Sequence, residues 1–261
     1  GELPYLVTLP PYGFFWFLLG EQQQPKAELR TSHREFPTLV WTDSWNSLLQ
    51  GRERRTLESD VLPQFLLERR WFAEKARGLP KTSLQFILPL EQNDLNAALA
   101  FVDAGDGRHG AVRYLVPLKI RWTRFDRRQA PSPDAVAAIR RGAREGTLLD
   151  GASDQELIAA ALHAIREDST IEQGERRLEC RRTRAFREMA ELAFDKVDVP
   201  QREQSNTTAI VDSTCVVKLF RKVNPGIHPE VEIGRFLVEH TDFKNAPALL
   251  GSIELMENDT R

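Results

Sequence analysis

Ser205-Asn206-Thr207-Thr208-Ala209-Ile210-Val211-Asp212 leads, after Ser213, into Thr214-Cys215-Val216-Val217-Lys218-Leu219-Phe220, and then into His228-Pro229-Glu230-Val231-Glu232-Ile233-Gly234-Arg235-Phe236-Leu237. The polar opening reads as a turn. The β-branched residues after it read as strands, the second of which carries a single lysine, Lys218. Pro229 suits a first helical turn, so a helix opens there, carrying Glu230 and Glu232. An ammonium on a rigid strand can hold phosphate oxygens, and a helix carboxylate can aim it through a charge-assisted hydrogen bond. Glu232 is the first candidate for that carboxylate and Glu230 the second. Ser205, Asn206, Thr207 and Thr208 offer hydroxyls and amides that can cap phosphate oxygens. No glycine lies in their stretch, so a G-x-G-x-x-G signature is absent. The same spacing also suits a surface lysine, a solvated glutamate and a plain polar hairpin turn.

Around this stretch the pattern stays mixed. Residues 177–182 read as a strand, residues 185–193 as a helix and residues 248–255 as a further strand. Upstream, residues 56–72 hold Leu62, Phe65 and Leu66 at helical spacing, with Thr56 or Ser59 as cap. Residues 83–90, 96–102 and 112–122 read as strands, with a hairpin turn at Gly105-Asp106-Gly107. Ser153 followed by Glu156 fits a capping box for a helix over residues 153–165. A meander of strands after a helix predicts an α+β fold with an antiparallel sheet. Residues 14–19 read as a buried strand behind Pro10-Pro11, and the polar stretch from Gly20 onward as a linker.

Composition excludes several function classes. The chain has 36 basic and 38 acidic residues, net −2, so it lacks the basic bias of a nucleic-acid partner. The apolar run at residues 14–19 falls far short of the roughly 20 residues of a membrane helix. The start, Gly1-Glu2-Leu3, is neither a methionine nor a signal peptide, and reads as part of a longer protein. Cys180 and Cys215 lack C-x-x-C spacing, and none of the 5 histidines has a histidine or cysteine at i+3 or i+4, so no metal site is expected. The two cysteines read as reduced, partly buried thiols of a cytoplasmic protein, with a disulfide between them left open. The arginines of residues 176–187 alternate with glutamates and read as a solvated face. In Arg69-Arg70-Trp71-Phe72-Ala73-Glu74-Lys75 the rings are expected to pack inward under arginine stems. Trp16, Trp41, Trp45 and Trp122 are expected core anchors.

The segment from Leu66 to Lys75 resembles the cap motif of maltokinases, with Glu74 where that motif has a glycine. Ser205-Asn206-Thr207, Val217-Lys218-Leu219-Phe220-Arg221, Asn224-Pro225-Gly226-Ile227 and the helix opening at Pro229 resemble the maltokinase small lobe. Residues 9–18 look like the closing strand of the C-terminal β-domain of trehalose synthase, an enzyme fused to maltokinase in many bacteria. The resemblance implies residues 1–20 as that terminal strand, 21–35 as linker, 36–167 as the maltokinase N-terminal cap domain and 168–261 as a kinase small lobe. That lobe would be kinase-like in the manner of aminoglycoside phosphotransferases. It also implies ATP and Mg²⁺ as cofactors of the complete kinase, and transfer of phosphate to maltose, giving maltose 1-phosphate. Lys218 would touch the nucleotide phosphates, Glu232 would orient Lys218, and Ser205, Asn206 and Thr207 would cover the phosphates. The aspartates of a large lobe do not follow in this sequence, so catalytic residues, tight nucleotide binding and activity are not expected of this stretch alone. Its partners would be that large lobe and the trehalose synthase domain. A different class of reading is a non-catalytic module that docks the kinase onto the synthase.

Overall fold

The computed structural model describes residues 36–42, 44–75, 78–90, 95–107, 110–123, 132–189, 193–194, 196–200 and 206–257. The chain forms two compact units, Gly1–Glu35 and Phe36–Arg261. The expected strand at 14–19, Trp16, the linker and Ser205 lie outside the described residues.

The larger unit is mixed α+β and mostly sheet. A seven-stranded sheet combines β1 (Thr38–Val40), β2 (Lys81–Leu90), β3 (Ala97–Gly105), β4 (Val112–Arg121), β5 (Ala135–Arg141), β6 (Arg144–Asp150) and β12 (Lys222–Val223). Its order is β1-β5-β6-β4-β3-β2, and β12 joins on β4. All pairings are antiparallel except β1 with β5. Two short helices, α1 (Gly51–Thr56) and α2 (Leu62–Glu68), flank a wide π turn at Leu57–Val61. The turn precedes Pro63, which has no N–H to donate and whose ring would clash with the carbonyl of Ser59, so the helix opens there.

These helices lay Leu57, Val61, Phe65 and Leu66 on one sheet face, against Leu84, Ile87, Val102, Val116 and Ile120. On β3 the residues facing them are Ala98, Ala100, Val102 and Ala104, small enough to let helix and sheet approach closely. Phe86, Leu88 and Phe101 face the opposite way, toward Leu178. Strict alternation would put Leu84 and Phe86 on one face. A bulge between them shifts the phase, so Leu84 and Ile87 share one face, Phe86 and Leu88 the other.

Two three-stranded sheets complete the unit. One is β13 (Gly251–Glu257), β8 (Arg176–Arg182) and β7 (Thr170–Gln173). The other is β11 (Cys215–Phe220), β10 (Asn206–Val211) and β9 (Val197–Asp198). Helix α3 (Gln155–Arg166) packs Ile158 and Leu162 against Ala209, Val211 and Cys215 of the latter sheet and against Phe186. Its cap is Asp154, whose carboxylate accepts the Leu157 amide at 3.1 Å, and not the expected Ser153. Ser153 belongs to a short 3₁₀ turn, Gly151–Ser153, capped by Asp150. Lys119 donates to both Asp154 and Glu156 at 2.6 Å. Burial lowers the pKa of its ammonium, but those carboxylates outweigh burial and hold it above the ordinary lysine value.

The expected helix at 185–193 is only one turn, α4 (Arg184–Arg187). Helix α5 (Pro229–His240) has no fully buried residue, with Ile233 59% and Phe236 58% exposed. Among the described residues no helix is long and apolar enough to cross a membrane.

Candidate functional site

The expected turn at residues 205–208 is a strand: Asn206, Thr207 and Thr208 open β10. β-Branched side chains favour the pleated, half-buried surface that pairing with β11 provides. The turn lies instead at Asp212, Ser213 and Thr214, with Asp212 (φ 49) and Ser213 (φ 54) in the left-handed region. The Asp212 carboxylate accepts the amides of Phe194 at 2.8 Å and Lys196 at 2.9 Å, which holds β9 against the hairpin.

Register decides which candidates meet. Asn206 lies opposite Phe220, Thr208 opposite Lys218 and Ile210 opposite Val216. Side chains alternate along a strand, so Asn206, Thr208, Lys218 and Phe220 share one face. The other face carries Ala209, Val211 and Cys215 into the core beside α3, and Thr207 belongs to it. The structure therefore groups Asn206 with Lys218 and separates Thr207 from both. Thr208, read with them as part of the phosphate-capping stretch, faces the lysine directly.

The Lys218 ammonium donates to Glu230 at 2.6 Å. The expected first partner was Glu232, and the structure corrects it to the second candidate. Positions two apart on a helix point to nearly opposite sides, so Glu230 and Glu232 cannot both face β11. The His228 ring Nδ1 accepts the Glu230 amide at 3.2 Å, capping α5. The same ring stacks on Phe220 at 3.8 Å, which sets the helix start beside the strand end. Lys218 and Glu230 stay half-exposed, their side chains at 47% and 54%, so a ligand from solvent can reach both.

Thr207 has a different partner. Its hydroxyl oxygen accepts from Arg221 Nε at 3.0 Å. Arg221 also donates to both oxygens of Asp150, at 3.1 and 2.8 Å, and lies 4.7 Å over the Trp71 ring. The expected inward packing at residues 69–72 is present: Trp71 and Phe72 are buried and Arg69 covers the Phe65 ring. The arginine over Trp71, however, comes from β11's end and not from the motif itself. Sequence reading missed Arg221 and Asp150. Their only local signal was an arginine after an apolar strand, a pattern shared by countless surface positions.

The arginine-dense stretch is neutralised by carboxylates: Arg176 pairs with Glu257, Arg177 with Glu179 and Arg182 with Asp168. Both cysteines are free thiols in the interior. Burial pushes the Cys180 thiol from 9.0 up to about 11, with Arg181 opposing, and burial followed by Asp212 raises Cys215. Neither is a reactive thiolate near neutral pH. Among the described residues no group of three or more His, Cys, Asp or Glu is placed to hold a metal ion.

Chemically, the face carrying Lys218 presents a cation, a side-chain amide and a hydroxyl around an open surface. That donor set suits phosphate oxygens. A cleft of 1850 Å³ is lined by Lys218, Phe220, His228 and Glu230, and also by apolar Leu99, Phe101, Leu115 and Leu157. Comparison with protein families bears on the sheet rather than on this face. Residues 65–154, from α2 through β2–β6 to the cap of α3, match the model of the maltokinase N-terminal cap domain, so this region is similar to that domain.

Proposed function

We propose that this chain is the cap and nucleotide-binding portion of a kinase that transfers the terminal phosphate of ATP to maltose, giving maltose 1-phosphate. The observation that carries the reading is the Lys218–Glu230 pair, a strand lysine held by a carboxylate of the following helix. Kinase-like sites use that combination to cradle nucleotide phosphates. The cap match at residues 65–154 supports the choice of maltose over other acceptors. On this reading residues 36–167 are the cap and 168–261 a kinase small lobe. Lys218 holds phosphate oxygens and Glu230 aims it. Asn206 and Thr208 donate from the same face, with Ser205 beside them in sequence and Glu232 left outside the pair.

Magnesium would neutralise phosphate charge, and among the described residues no group of three or more His, Cys, Asp or Glu is placed to hold it. On this reading the chain alone binds nucleotide weakly and transfers no phosphate. It acts in a cytoplasmic bacterial protein together with a large kinase lobe. The reading further makes residues 1–20 the end of a trehalose synthase domain and 21–35 the linker to it.

Calorimetric titration of MgATP into the chain tests the nucleotide site. Lys218→Ala is expected to weaken binding at least tenfold, and equal binding by the variant refutes the assignment. Phosphorus NMR of maltose and ATP, with a protein that carries this chain and its large lobe, tests the acceptor. A sugar 1-phosphate ester is the expected product, and phosphorylation of another sugar in preference to maltose overturns the acceptor.

A further inference from the structure

We infer that the Arg221–Asp150 pair is a positioning device through which the cap sheet sets the geometry, and so the nucleotide affinity, of the Lys218 hairpin. The inference rests on the nucleotide reading above and adds a route of control to that site.

The pair bridges two parts of the chain 71 residues apart. Asp150 ends β6, and Arg221 stands between β11 and β12. Both β6 and β12 lie along the same edge of β4: Leu118 pairs with Asp150, and Tyr114 with Lys222. Between those two partners the edge passes Pro117. Leu115 donates its amide across this edge to the Arg221 carbonyl at 2.7 Å. Amides alternate sides along a strand, so Pro117 has no N–H where the edge changes partner. The ladder is interrupted there, and the Arg221–Asp150 pair spans the interruption.

Each nitrogen of the guanidinium is used. Nη1 and Nη2 hold the two Asp150 oxygens, Nε holds Thr207 on β10, and the plane lies over Trp71. One side chain thus fixes both strands of the hairpin at its base to two cap residues. The side chains of Arg221 and Asp150 are 4% and 5% exposed, against 47% and 54% for Lys218 and Glu230. A charge held that far from water cannot swing away without losing its partner. Lys218 on β11 lies three residues before Arg221, which directly follows that strand, so the height at which Lys218 stands above the cap is set by this contact. Trp71 and Asp150 both fall inside the cap region at residues 65–154, whereas Arg221 and Lys218 fall outside it. The cap therefore reaches the Lys218 hairpin through this pair.

The test compares Asp150→Asn, Arg221→Lys, Lys218→Ala and Leu48→Ala in the intact chain, well below the melting temperature of each. Leu48 is fully buried in the helix-side core and serves as a destabilised control away from the hairpin. Amide hydrogen exchange is read by mass spectrometry, and MgATP affinity by calorimetry. Asp150→Asn and Arg221→Lys are expected to speed exchange over residues 206–223 about tenfold or more while residues 81–105 keep their protection. Both are expected to raise the Kd for MgATP at least fivefold. Leu48→Ala is expected to leave that Kd within twofold despite a comparable loss of stability. If Lys218→Ala weakens binding but Asp150→Asn and Arg221→Lys do not, the positioning role is overturned and the nucleotide site stands. If Lys218→Ala binds as the parent chain does, the nucleotide reading itself has failed. Loosening that spreads equally through residues 81–105 makes the pair a general stabiliser and overturns the inference.

Discussion

Removing the Asp150 carboxylate is the most incisive perturbation of this fold. In Asp150→Ala the Arg221 guanidinium keeps only the Thr207 hydroxyl and the Trp71 ring. Its side chain is 4% exposed, so water cannot replace the lost carboxylate without opening the site. Breaking one side of a buried pair typically costs about 3–5 kcal/mol, because the remaining charge stays desolvated. The substitution also removes the acceptor for the Ala152 amide at 3.1 Å, a cap worth about 1 kcal/mol. A loss of roughly 4–6 kcal/mol is therefore expected, or about 8–24 °C in Tm for a unit of this size. The Lys218–Glu230 pair, half in solvent, is by contrast worth at most about 1 kcal/mol. Urea unfolding followed by tryptophan emission suits the measurement, since Trp71 lies directly under Arg221. The double variant Asp150→Leu with Arg221→Met should recover most of the loss, because apolar replacement of both partners removes the stranded charge. A cost below about 1 kcal/mol for Asp150→Ala refutes the reasoning, as it would mean that water already reaches Arg221.

Two further outcomes follow from the packing. A Cβ added at Gly251 would lie 2.3 Å from Ile165 Cγ2 and 2.5 Å from the Arg181 carbonyl oxygen. The backbone oxygen belongs to the β8–β13 ladder and cannot yield, so Gly251→Ala should cost about 1–3 kcal/mol in denaturant titration; a change under about 0.5 kcal/mol would contradict this contact. The Cys180 thiol is raised on folding from 9.0 to about 11 by burial. A pKa raised in the folded state contributes stability that is whole below pH 9 and is lost as pH climbs through about 11. The loss attributable to Cys180 is on the order of 2–3 kcal/mol when complete. Urea midpoints of Cys180→Ala should fall less steeply than those of the parent between pH 9 and pH 11, and parallel declines would show that the thiol titrates alike in both states.

Much of the architecture was legible because it rests on short-range pattern. β4 shows period-two alternation, with Tyr114, Val116, Leu118 and Ile120 on one face, and the Gly105-Asp106-Gly107 turn separates it from β3. The α5 start was legible at Pro229, since a proline at the first turn is a local feature, whereas the His228 side-chain cap was not read from the sequence. The pattern failed where one residue changes the phase. The bulge after Leu84 exchanges the faces of Phe86 and Ile87, and nothing in the composition of β2 announces it. It failed again at the α3 cap, where Ser153 and Asp154 were equally plausible by type. The choice fell to Asp154 because Lys119, 35 positions away, holds the same carboxylate.

The sequence by itself determined the α+β class, the lysine strand, the helix that follows it and the inward packing of Trp71 and Phe72, because each depends on neighbours within a few positions. Only the tertiary structure decided which glutamate meets Lys218, which face Thr207 takes, and that Arg221 is buried on Asp150 and Trp71. The reason is physical. Side-chain direction on a strand depends on register, and a buried ion pair depends on two strand ends meeting along one edge of β4. Both are set by pairing between distant segments, which local propensity does not encode.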